Sequence, residues 1–387
     1  MKKLLLLCVC FLLCACSQKD EGTKPEKKEE TSTPVVSDIK DEYKDVSFTA
    51  VGDNLIHGAI YYYNNNGDGT YNFTDIYENT NKYTQTADIA YINQETICGG
   101  TELGLSTYPS FNGPYDVLDA VNAAGFDWVA ASSNHSLDAG IQGILNQLNY
   151  LKKNYPDIKV TGSHRTKEEA EATQVIERNG VRIGILGYTY GLNGYQIPEG
   201  KEYMIDLIDK EKMKADVEKL KEVSDVQAVS MHWGTEYSFE PNEEQMELAQ
   251  FLSDLGVDVI IGEHPHVIQP MDYVTGKDGN KTLVIYSLGN FLSAQDDHVN
   301  MLGGMARFTL SYNAATKDVA FKDVEFMPTV TYIGGNFEHY KTYALKDYTD
   351  DLAATHTLTI QKNQDMTRDY FIKLTKSVMN DKIKLVY

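Results

Sequence analysis

Hydrophobic positions along this chain recur in short aliphatic or β-branched runs that alternate with longer segments of mixed polarity. Such runs predict strands, and they fall at residues 46–51, 89–92, 128–131, 181–186, 226–231, 257–261 and 283–286. Apolar residues spaced three and four positions apart predict helices, and they fall at residues 116–124, 141–151, 209–223 and 243–255. Strands that alternate with helices in this way indicate an α/β core.

The pattern changes towards the end of the chain. Alternation of apolar and polar residues at 306–312 and 319–326 predicts an antiparallel hairpin, and we expect at least one helix within residues 352–387. The sequence therefore predicts a main domain at residues 45–312 and a C-terminal extension, residues 313–387, that packs on the core of this domain.

The start of the chain has the pattern of a targeting segment. Lys2 and Lys3 precede an apolar run at residues 4–13, which is too short to span the ~30 Å of a bilayer core as a helix. This arrangement predicts a secretory signal peptide at residues 1–15. Four of the five cysteines lie in or directly after this segment, so Cys98 is the only thiol expected in the domain.

The apolar run ends in Leu13-Cys14-Ala15-Cys16, which resembles the bacterial lipobox. The resemblance implies that Cys16 is lipidated and anchors the protein to the outer face of the bacterial cell membrane; a plain cleaved signal peptide is the alternative. Residues 16–44 combine Lys, Glu, Asp, Thr and Pro with few aliphatic side chains, which predicts a disordered tether. No other apolar stretch approaches ~18 residues, so we expect the acyl group to be the membrane anchor.

The charge of the chain limits its partners. It carries 56 acidic and 35 basic side chains, a formal net charge of -21, which argues against sequence-independent binding of nucleic acid. Only five of the basic residues are arginine, so a site that clamps phosphate through several guanidinium groups is not expected. A bound metal would have to supply positive charge instead.

Polar side chains follow the predicted strands at the point where each run ends. In an open α/β sheet the carboxyl ends of the strands border the ligand-binding crevice, so these side chains are expected to converge there. The set offers one Asp, one Glu, one Asn and three His without sulfur, which suits Mn, Fe(II) or Zn and leaves a pair of such ions open. Its members are Asp53, Glu95, Asn134, His232, His264 and His266, with His135 and Asp138 close to Asn134 in the sequence.

Single members of this set have structural alternatives. Asp53 could cap a following helix, Asn134 could occupy a turn, and His232 could be a satisfied core histidine. His264 and His266 alternate along the chain, so both reach one site only if the backbone bends between them.

The remaining histidines lack such support. His164 follows a Gly-containing turn and is expected at the surface. The polar surroundings of His298, His339 and His356 also predict solvent exposure.

Several motifs, taken in order, resemble the bacterial CapA family of poly-γ-glutamate capsule synthesis proteins over about residues 46–291. They are Gly-Asp-Asn-Leu-Ile-His at 52–57, Asn-Gln-Glu-Thr at 93–96, Ser-Asn-His-Ser-Leu-Asp-Ala-Gly at 133–140, His-Trp-Gly-Thr-Glu-Tyr at 232–237, Gly-Glu-His-Pro-His-Val-Ile-Gln-Pro at 262–270 and Ser-Leu-Gly-Asn-Phe at 287–291. The resemblance implies a calcineurin-like metallophosphoesterase fold, in which stacked β-sheets flanked by helices present a two-metal site.

The resemblance also implies roles for individual residues. The ligands to the ions would be Asp53, Glu95, Asn134, His232, His264 and His266. His135 would act on the leaving group, and Asp138 would hold its imidazole in one tautomer. The sequence departs from the usual metallophosphoesterase pattern at His57, which follows Asp53 by four residues rather than two, and at Glu95, which replaces an aspartate.

Two functions from different classes follow from this resemblance. The first is a metal-dependent hydrolase that acts on a phosphoester or on a γ-glutamyl amide bond. The second is a non-catalytic accessory protein of polyglutamate assembly or export, which binds polymer carboxylates through its metal site. In either case the expected partners are poly-γ-glutamate or a related cell-surface polymer and polyglutamate synthase components in the membrane, and no nucleic acid.

Overall fold

The computed structural model describes residues 42–387, and its strands form two β-sheets. The strands are β1 (Tyr43–Asn54), β2 (Ile89–Asn93), β3 (Trp128–Ala130), β4 (Lys159–Thr161), β5 (Gln174–Arg178), β6 (Val181–Thr189), β7 (Val226–His232), β8 (Val259–Glu263), β9 (Ile268–Thr275), β10 (Lys281–Leu288), β11 (Asn290–Leu292), β12 (Leu302–Asn313), β13 (Val319–Gly334), β14 (His339–Ala344) and β15 (Lys384–Leu385). The helices are α1 (Gly58–Tyr63), α2 (Thr74–Tyr77), α3 (Asn81–Thr84), α4 (Asp116–Ala123), α5 (Gly140–Asn154), α6 (Lys167–Glu171), α7 (Lys210–Lys221), α8 (Glu243–Asp254), α9 (Asp350–Thr355), α10 (Thr357–Lys362) and α11 (Arg368–Val378). The predicted signal peptide, Cys16 and the tether as far as residue 41 lie outside the described residues.

Each sheet contains a run of parallel strands. The first sheet has the order β14-β13-β12-β1-β2-β3-β4, with β11 paired to β1 and β15 to β13, and the second has the order β5-β6-β7-β8-β10-β9. Strands β1 to β4 are parallel neighbours, as are β6, β7, β8 and β10. Since parallel neighbours end at the same edge, each sheet gathers the residues that follow its strands along one side.

The two sheets bury their inner faces against each other. Alternate residues of a strand face opposite sides, and in β7 Val226 and Ala228 belong to the same buried cluster as the residues of β1 and β2. Val229 and Met231 point the other way and pack with α7 and α8. The structure therefore confirms the predicted α/β fold of stacked sheets flanked by helices.

The strands and helices predicted from the sequence are present in the structure. Each predicted strand and helix coincides with an observed one to within a few residues, and the predicted hairpin is the antiparallel pair β12–β13. Strand β1 begins earlier than the hydrophobic run indicated, because Tyr43 and Lys44, the last residues of the predicted tether, pair with Asn313 and Tyr312.

The C-terminal residues complete the first sheet and its core. Strands β13 and β14 extend the sheet, and Phe326, Met327 and Phe371 lie in the same buried cluster as β1. Helices α9, α10 and α11 fulfil the expectation of at least one helix after residue 352. Among residues 42–387, no helix has both the length and the apolar character needed to cross a bilayer.

Candidate metal centre

Strand β1 delivers Asp53 to the site through a close approach of two backbones. The amide of Asp53 donates a hydrogen bond to the carbonyl of Gly289 at 2.8 Å, and Asp53 and Asn290 are paired across the parallel strands β1 and β11. A Cβ atom on Gly52 would lie 1.8 Å from the Gly289 oxygen. Glycine at position 52 therefore allows residues 287–291 to pack closely against the end of β1.

A sharp bend after β8 brings two histidines to one place. His264 and His266 have positive φ angles of 100° and 57°, which are unfavourable for residues with a Cβ atom and concentrate at functional sites. Their ring centroids lie 5.8 Å apart. The carbonyl of Pro265 accepts a hydrogen bond from Tyr237 at 2.7 Å, and the carbonyl of His266 accepts one from Asn300 at 3.0 Å. The bend expected from the sequence is therefore present and held at two points.

The structure brings the six predicted ligands together at the carboxyl ends of β1, β7 and β8 and in the loops after β2 and β3. Ligand atoms of Glu95, His264 and His266 all lie within 4.8 Å of one another, so these three residues could hold a metal ion. Nε2 of His266 lies 3.6 Å from Oε1 of Glu95, and Nε2 of His232 lies 3.7 Å from the same oxygen. Asp53 contacts Nδ1 of His266 at 3.1 Å, and the Asn134 oxygen lies 2.9 Å from Nε2 of His232.

Several atoms of this cluster are buried without a hydrogen-bond partner. Both carboxylate oxygens of Glu95 and Nδ1 of His264 are in this condition among the described residues. Unpaired buried acceptors are costly, and a bound cation would pair with all of them. The donor set of carboxylate, amide and imidazole groups therefore fits the divalent metal implied by the sequence.

Burial and neighbouring carboxylates set the protonation of these groups. It lowers the pKa of His264 to about 3 and that of His232 well below its usual value, which favours the neutral imidazole that binds metals. Burial raises the pKa of Glu95 well above its ordinary range. Burial also disfavours protonated His266, but the carboxylates of Glu95 and Asp53 outweigh it and raise the pKa of His266 to about 9.

A third buried carboxyl group adjoins the cluster. Glu263, the last residue of β8, is fully buried, and neither of its oxygens has a hydrogen-bond partner among the described residues. Burial first, and then repulsion from Asp53 and Glu95, raises its pKa well above the usual value. Added positive charge at the site would relieve this repulsion as well.

His135 lies beside the cluster in a fixed orientation. Its Nδ1 lies 2.7 Å from Oδ2 of Asp138, and the same oxygen accepts the backbone N–H of Phe111 at 2.7 Å. The ring of Phe111 packs edge-on against that of His135, with centroids 4.7 Å apart. The contact with Asp138 assigns the proton of the neutral ring to Nδ1, so Nε2, which has no hydrogen bond to a described residue, is the atom free to exchange a proton with a bound molecule.

Other residues contact and position the proposed metal ligands, and some of these residues could not be identified from the sequence. Asn93 donates to Oδ1 of Asp53 at 2.7 Å, and the Asn290 oxygen lies 3.0 Å from Nδ1 of His266; both belong to motifs already noted. Asn193 accepts from Asn134 at 3.2 Å, and Tyr190 lies 4.7 Å from His264 between ring centroids. These last two come from the irregular segment after β6, where neither periodicity nor spacing marked them.

His57 lies next to the site without touching the cluster. Its Nδ1 accepts the backbone N–H of Ala294 at 3.2 Å, and its ring packs edge-on against Phe111 with centroids 5.2 Å apart. Burial lowers the pKa of His57 to about 4. It therefore supports the loops around the site as a neutral ring.

Two histidines predicted at the surface are buried, and that prediction was wrong for both. Nε2 of His164 lies 2.7 Å from a carboxylate oxygen of Asp206. His356 is fully buried, and its Nδ1 accepts the backbone N–H of Leu358 at the start of α10. The carboxylate of Asp206, which is distant in the sequence, replaces the water that His164 loses on burial. For His356 the replacement is a backbone N–H at the start of α10, a helix start that the sequence did not reveal.

Two β-sheets packed face to face, with this cluster at the ends of their parallel strands, are the arrangement that the family resemblance implied. The family described as “Bacterial capsule synthesis protein PGA_cap” matches residues 47–295, more than half of the chain, and the chain belongs to this family. The resemblance to CapA proteins that the motifs indicated is thereby confirmed.

Two curated relatives support the family assignment. The chain is 32% identical over 179 residues to the PGA biosynthesis protein CapA of Bacillus subtilis (strain 168). This alignment covers 44% of this chain and 43% of the relative. The chain is 32% identical over 185 residues to the capsule biosynthesis protein CapA of Bacillus anthracis, which covers 46% and 43%. The alignments thus span less than half the length of each relative.

Solved structures show a partial likeness to this chain. A phosphatase from Mycoplasma pneumoniae has a TM-score of 0.47 at 16% identity and covers 75% of this chain and 95% of its own. The NAD nucleotidase of Haemophilus influenzae has a TM-score of 0.47 at 15% identity and covers 87% and 67%. At this level of likeness, their substrates say nothing about the substrate of this chain.

Proposed function

We propose that this protein is a metal-dependent hydrolase of capsule polymer metabolism, which acts on a phosphoester or on a γ-glutamyl amide bond. The observation that carries the proposal is the pairing of two features. A buried cluster contains unpaired ligand atoms on Glu95 and His264, and it lies beside a histidine whose tautomer is fixed by Asp138.

The proposal gives each residue a task. Asp53, Glu95, Asn134, His232, His264 and His266 would hold two divalent ions, of Mn, Fe or Zn. When bound, such ions supply Lewis acidity and positive charge at the group under attack. His135 would hold a proton at Nε2 and donate it to the leaving group, while Asp138 accepts a hydrogen bond from the Nδ1–H of the same ring and stabilises its positive charge.

We further propose that the substrate is poly-γ-glutamate or a related cell-surface polymer, with polyglutamate synthase components of the membrane as partners. The family description and the names of both curated relatives support this assignment. The formal net charge of -21 would repel a polyanion, so positive charge held at the cluster would have to attract the polymer. Lipidation of Cys16 would place the site at the outer face of the membrane, where such a polymer is found.

The second candidate is a non-catalytic accessory protein that binds polymer carboxylates through its metals. The family description favours it, because that description concerns synthesis rather than cleavage. The two candidates make the same demand on the metal ligands and differ at His135, because an accessory protein has no leaving group to protonate.

An assay of the full chain loaded with Mn, Fe or Zn separates the two candidates. Phosphomonoester, phosphodiester and γ-glutamyl substrates are supplied to the wild type, to His135→Ala and to His339→Ala, which removes an exposed histidine as a matched control. The hydrolase proposal predicts turnover of one substrate class, a loss of roughly 10²- to 10⁴-fold in His135→Ala, unchanged metal content in that variant, and no change in His339→Ala.

The opposite outcome favours the accessory candidate. It predicts no turnover of any of the three substrates by the fully metallated wild type. It also predicts polymer binding that survives His135→Ala but is lost in His264→Ala. Loss of metal in His135→Ala would make His135 a metal ligand and would contradict both candidates.

A further inference from the structure

Two exposed tyrosine rings lie against histidines of the metal centre. The ring centroid of Tyr190 lies 4.7 Å from that of His264, and the ring centroid of Tyr237 lies 6.1 Å from that of His266. Tyr190 is 44% exposed and Tyr237 is 52% exposed. We call these two tyrosines the tyrosine rim. Because grouped exposed aromatic surface often marks a binding site, the rim is a candidate contact for a molecule bound at the metal centre.

Backbone hydrogen bonds tie both rim residues to the segments that carry proposed metal ligands. The N–H of Tyr190 donates to the carbonyl of His232 at 3.0 Å, and the N–H of Tyr237 donates to the carbonyl of Pro265 at 2.7 Å. The hydroxyl of Tyr237 accepts a hydrogen bond from Gln295 at 3.4 Å. Tyr237 also has a positive φ of 64°, which is unfavourable for a bulky residue and occurs most often at functional sites.

A carboxylate without a partner adjoins the rim. Glu236 is exposed, and its side chain makes no hydrogen bond or ion pair with any residue that the structure describes. Its charge nevertheless acts on the rim. Burial first, and then the charge of Glu236, raises the pKa of Tyr190 to about 12 and also raises the pKa of Tyr237. Glu236 is also close enough to act on Glu95 and His266, so its carboxylate lies near both the rim and the metal centre.

The surroundings of the rim are acidic. Among residues 42–387, no lysine or arginine contacts Glu236 or either ring of the rim. A cavity of about 330 Å³ next to the rim is lined by Tyr237, Asp296 and Asp297, and its lining contains no basic residue of the described chain. Lys362 pairs with Asp296 from outside this lining. A cationic part of a bound molecule is therefore favoured here, and an anionic part is disfavoured.

The rim and the metal centre attract groups of opposite charge. The face of a tyrosine ring attracts an ammonium group through the ring quadrupole, and an adjacent carboxylate adds Coulomb attraction. Bound divalent ions attract an anionic group or a polarised carbonyl. A molecule that suits both features has such a group and, a few bonds away, an ammonium group.

We propose that the tyrosine rim and Glu236 form a subsite for an ammonium group of the substrate. This inference rests on the proposed function and deepens it, because it names a feature of the substrate. The group under attack lies at the metals, and the ammonium group lies at Glu236 and the rings of Tyr190 and Tyr237. In poly-γ-glutamate a free ammonium group occurs at the amino terminus and not along the chain, so the subsite selects the amino-terminal end of this polymer.

Binding of two matched phosphate esters tests the proposal. 2-Aminoethyl phosphate and propyl phosphate differ only in an ammonium group that replaces a methyl group, and both phosphates are dianions at about pH 8, above their second pKa of ~6. The full chain is loaded with metal and titrated calorimetrically in its His135→Ala form, in which turnover is expected to be slow. We expect 2-aminoethyl phosphate to bind about tenfold more tightly than propyl phosphate, as one cation–π contact and one charge pair together would give.

Variants of the subsite, each made in the same His135→Ala form, assign this preference to its residues. Glu236→Gln and Tyr237→Leu should each lower the preference to about threefold, whereas Tyr237→Phe keeps the ring and should retain it. Glu240→Gln neutralises another exposed carboxylate of the same segment and should also retain it. Metal content should be unchanged in all four variants, because none of these residues is a proposed ligand, and thermal melting confirms that each is folded.

Equal binding of the two esters by the metallated protein would overturn the proposal. A tenfold preference that survives both Glu236→Gln and Tyr237→Leu would overturn it as well, and so would loss of metal from Glu236→Gln, since Glu236 would then be a metal ligand. Failure of the proposed function itself looks different, because the protein would then retain no metal or bind neither ester.

Discussion

At the scale of single residues, Gly52 shows how a missing side chain positions a functional group. Replacement by alanine would place a Cβ atom 1.8 Å from the Gly289 oxygen and force β1 away from β11, next to Asp53. We expect Gly52→Ala to lower the free energy of unfolding by about 1–3 kcal/mol or more and to lower metal content.

Urea unfolding and metal analysis of Gly52→Ala and Gly191→Ala check this expectation. A Cβ atom on Gly191 would meet nothing within 4 Å, so this variant serves as the control and should behave like the wild type. A Gly52→Ala protein with wild-type stability and metal content would show that the close contact does not position Asp53.

The residues of the metal centre differ in how far the sequence could predict them. Asp53, His232 and His264 each follow a strand-like run, and the convergence of parallel strand ends made their meeting predictable. Asn193 and Tyr190 lie in an irregular segment. Their contacts with Asn134 and His264 depend on the tertiary fold, which no local sequence pattern indicates. His164 was misjudged because its partner Asp206 is distant in the sequence.

At the scale of elements, α10 begins at a buried histidine that must stay neutral. Nδ1 of His356 caps the helix by accepting the N–H of Leu358, and burial lowers the pKa of His356 to about 4 from an ordinary value of 6.5. Because the unfolded chain takes up this proton at a higher pH than the folded one, the stabilisation is present above about pH 6.5 and is lost as the pH falls towards 4.

We expect this loss to be on the order of 2–3 kcal/mol. The matched variant is His356→Asn, which can still cap the helix but does not titrate. In urea unfolding with a chelator present, the wild type should lose more stability than His356→Asn between pH 7 and pH 4. Parallel pH profiles for the two proteins would contradict the role given to His356.

Elements with a clear hydrophobic pattern were predictable, and elements without one were not. Helix α8 combines helical spacing with a capping box at Asn242 and Gln245, whereas β4 has only three residues and offers no pattern to detect. Strand β9 contains Pro270, which argues against a strand but is tolerated here because β9 lies at the edge of its sheet.

At the scale of the whole molecule, the proposed membrane location rests on residues outside the described part of the chain. If Cys16 carries the lipid anchor, Cys16→Ser should move the protein from the membrane fraction to the soluble fraction. The measurement is immunoblotting of both fractions from cells that express each form. Unchanged membrane retention of Cys16→Ser would contradict the lipoprotein proposal.

The fold class could be predicted from the sequence, but the long-range strand pairings that complete the first sheet could not. Alternating strands and helices indicated the α/β class, and the motifs implied stacked sheets. No local pattern predicted that β11 would pair with β1 beside Asp53, or that β12 would pair with β1 and so add the C-terminal strands to the first sheet, since these pairings join segments far apart in the chain.

The metal content of the full chain tests the central claim most directly. After loading and removal of free metal, elemental analysis should find two divalent ions per wild-type chain and the same number in His135→Ala. It should find fewer in Asp53→Ala and His264→Ala, whose melting temperatures should also fall because metal binding stabilises the folded state. A wild-type protein that retains no metal, or a His264→Ala variant that retains all of it, would contradict the account.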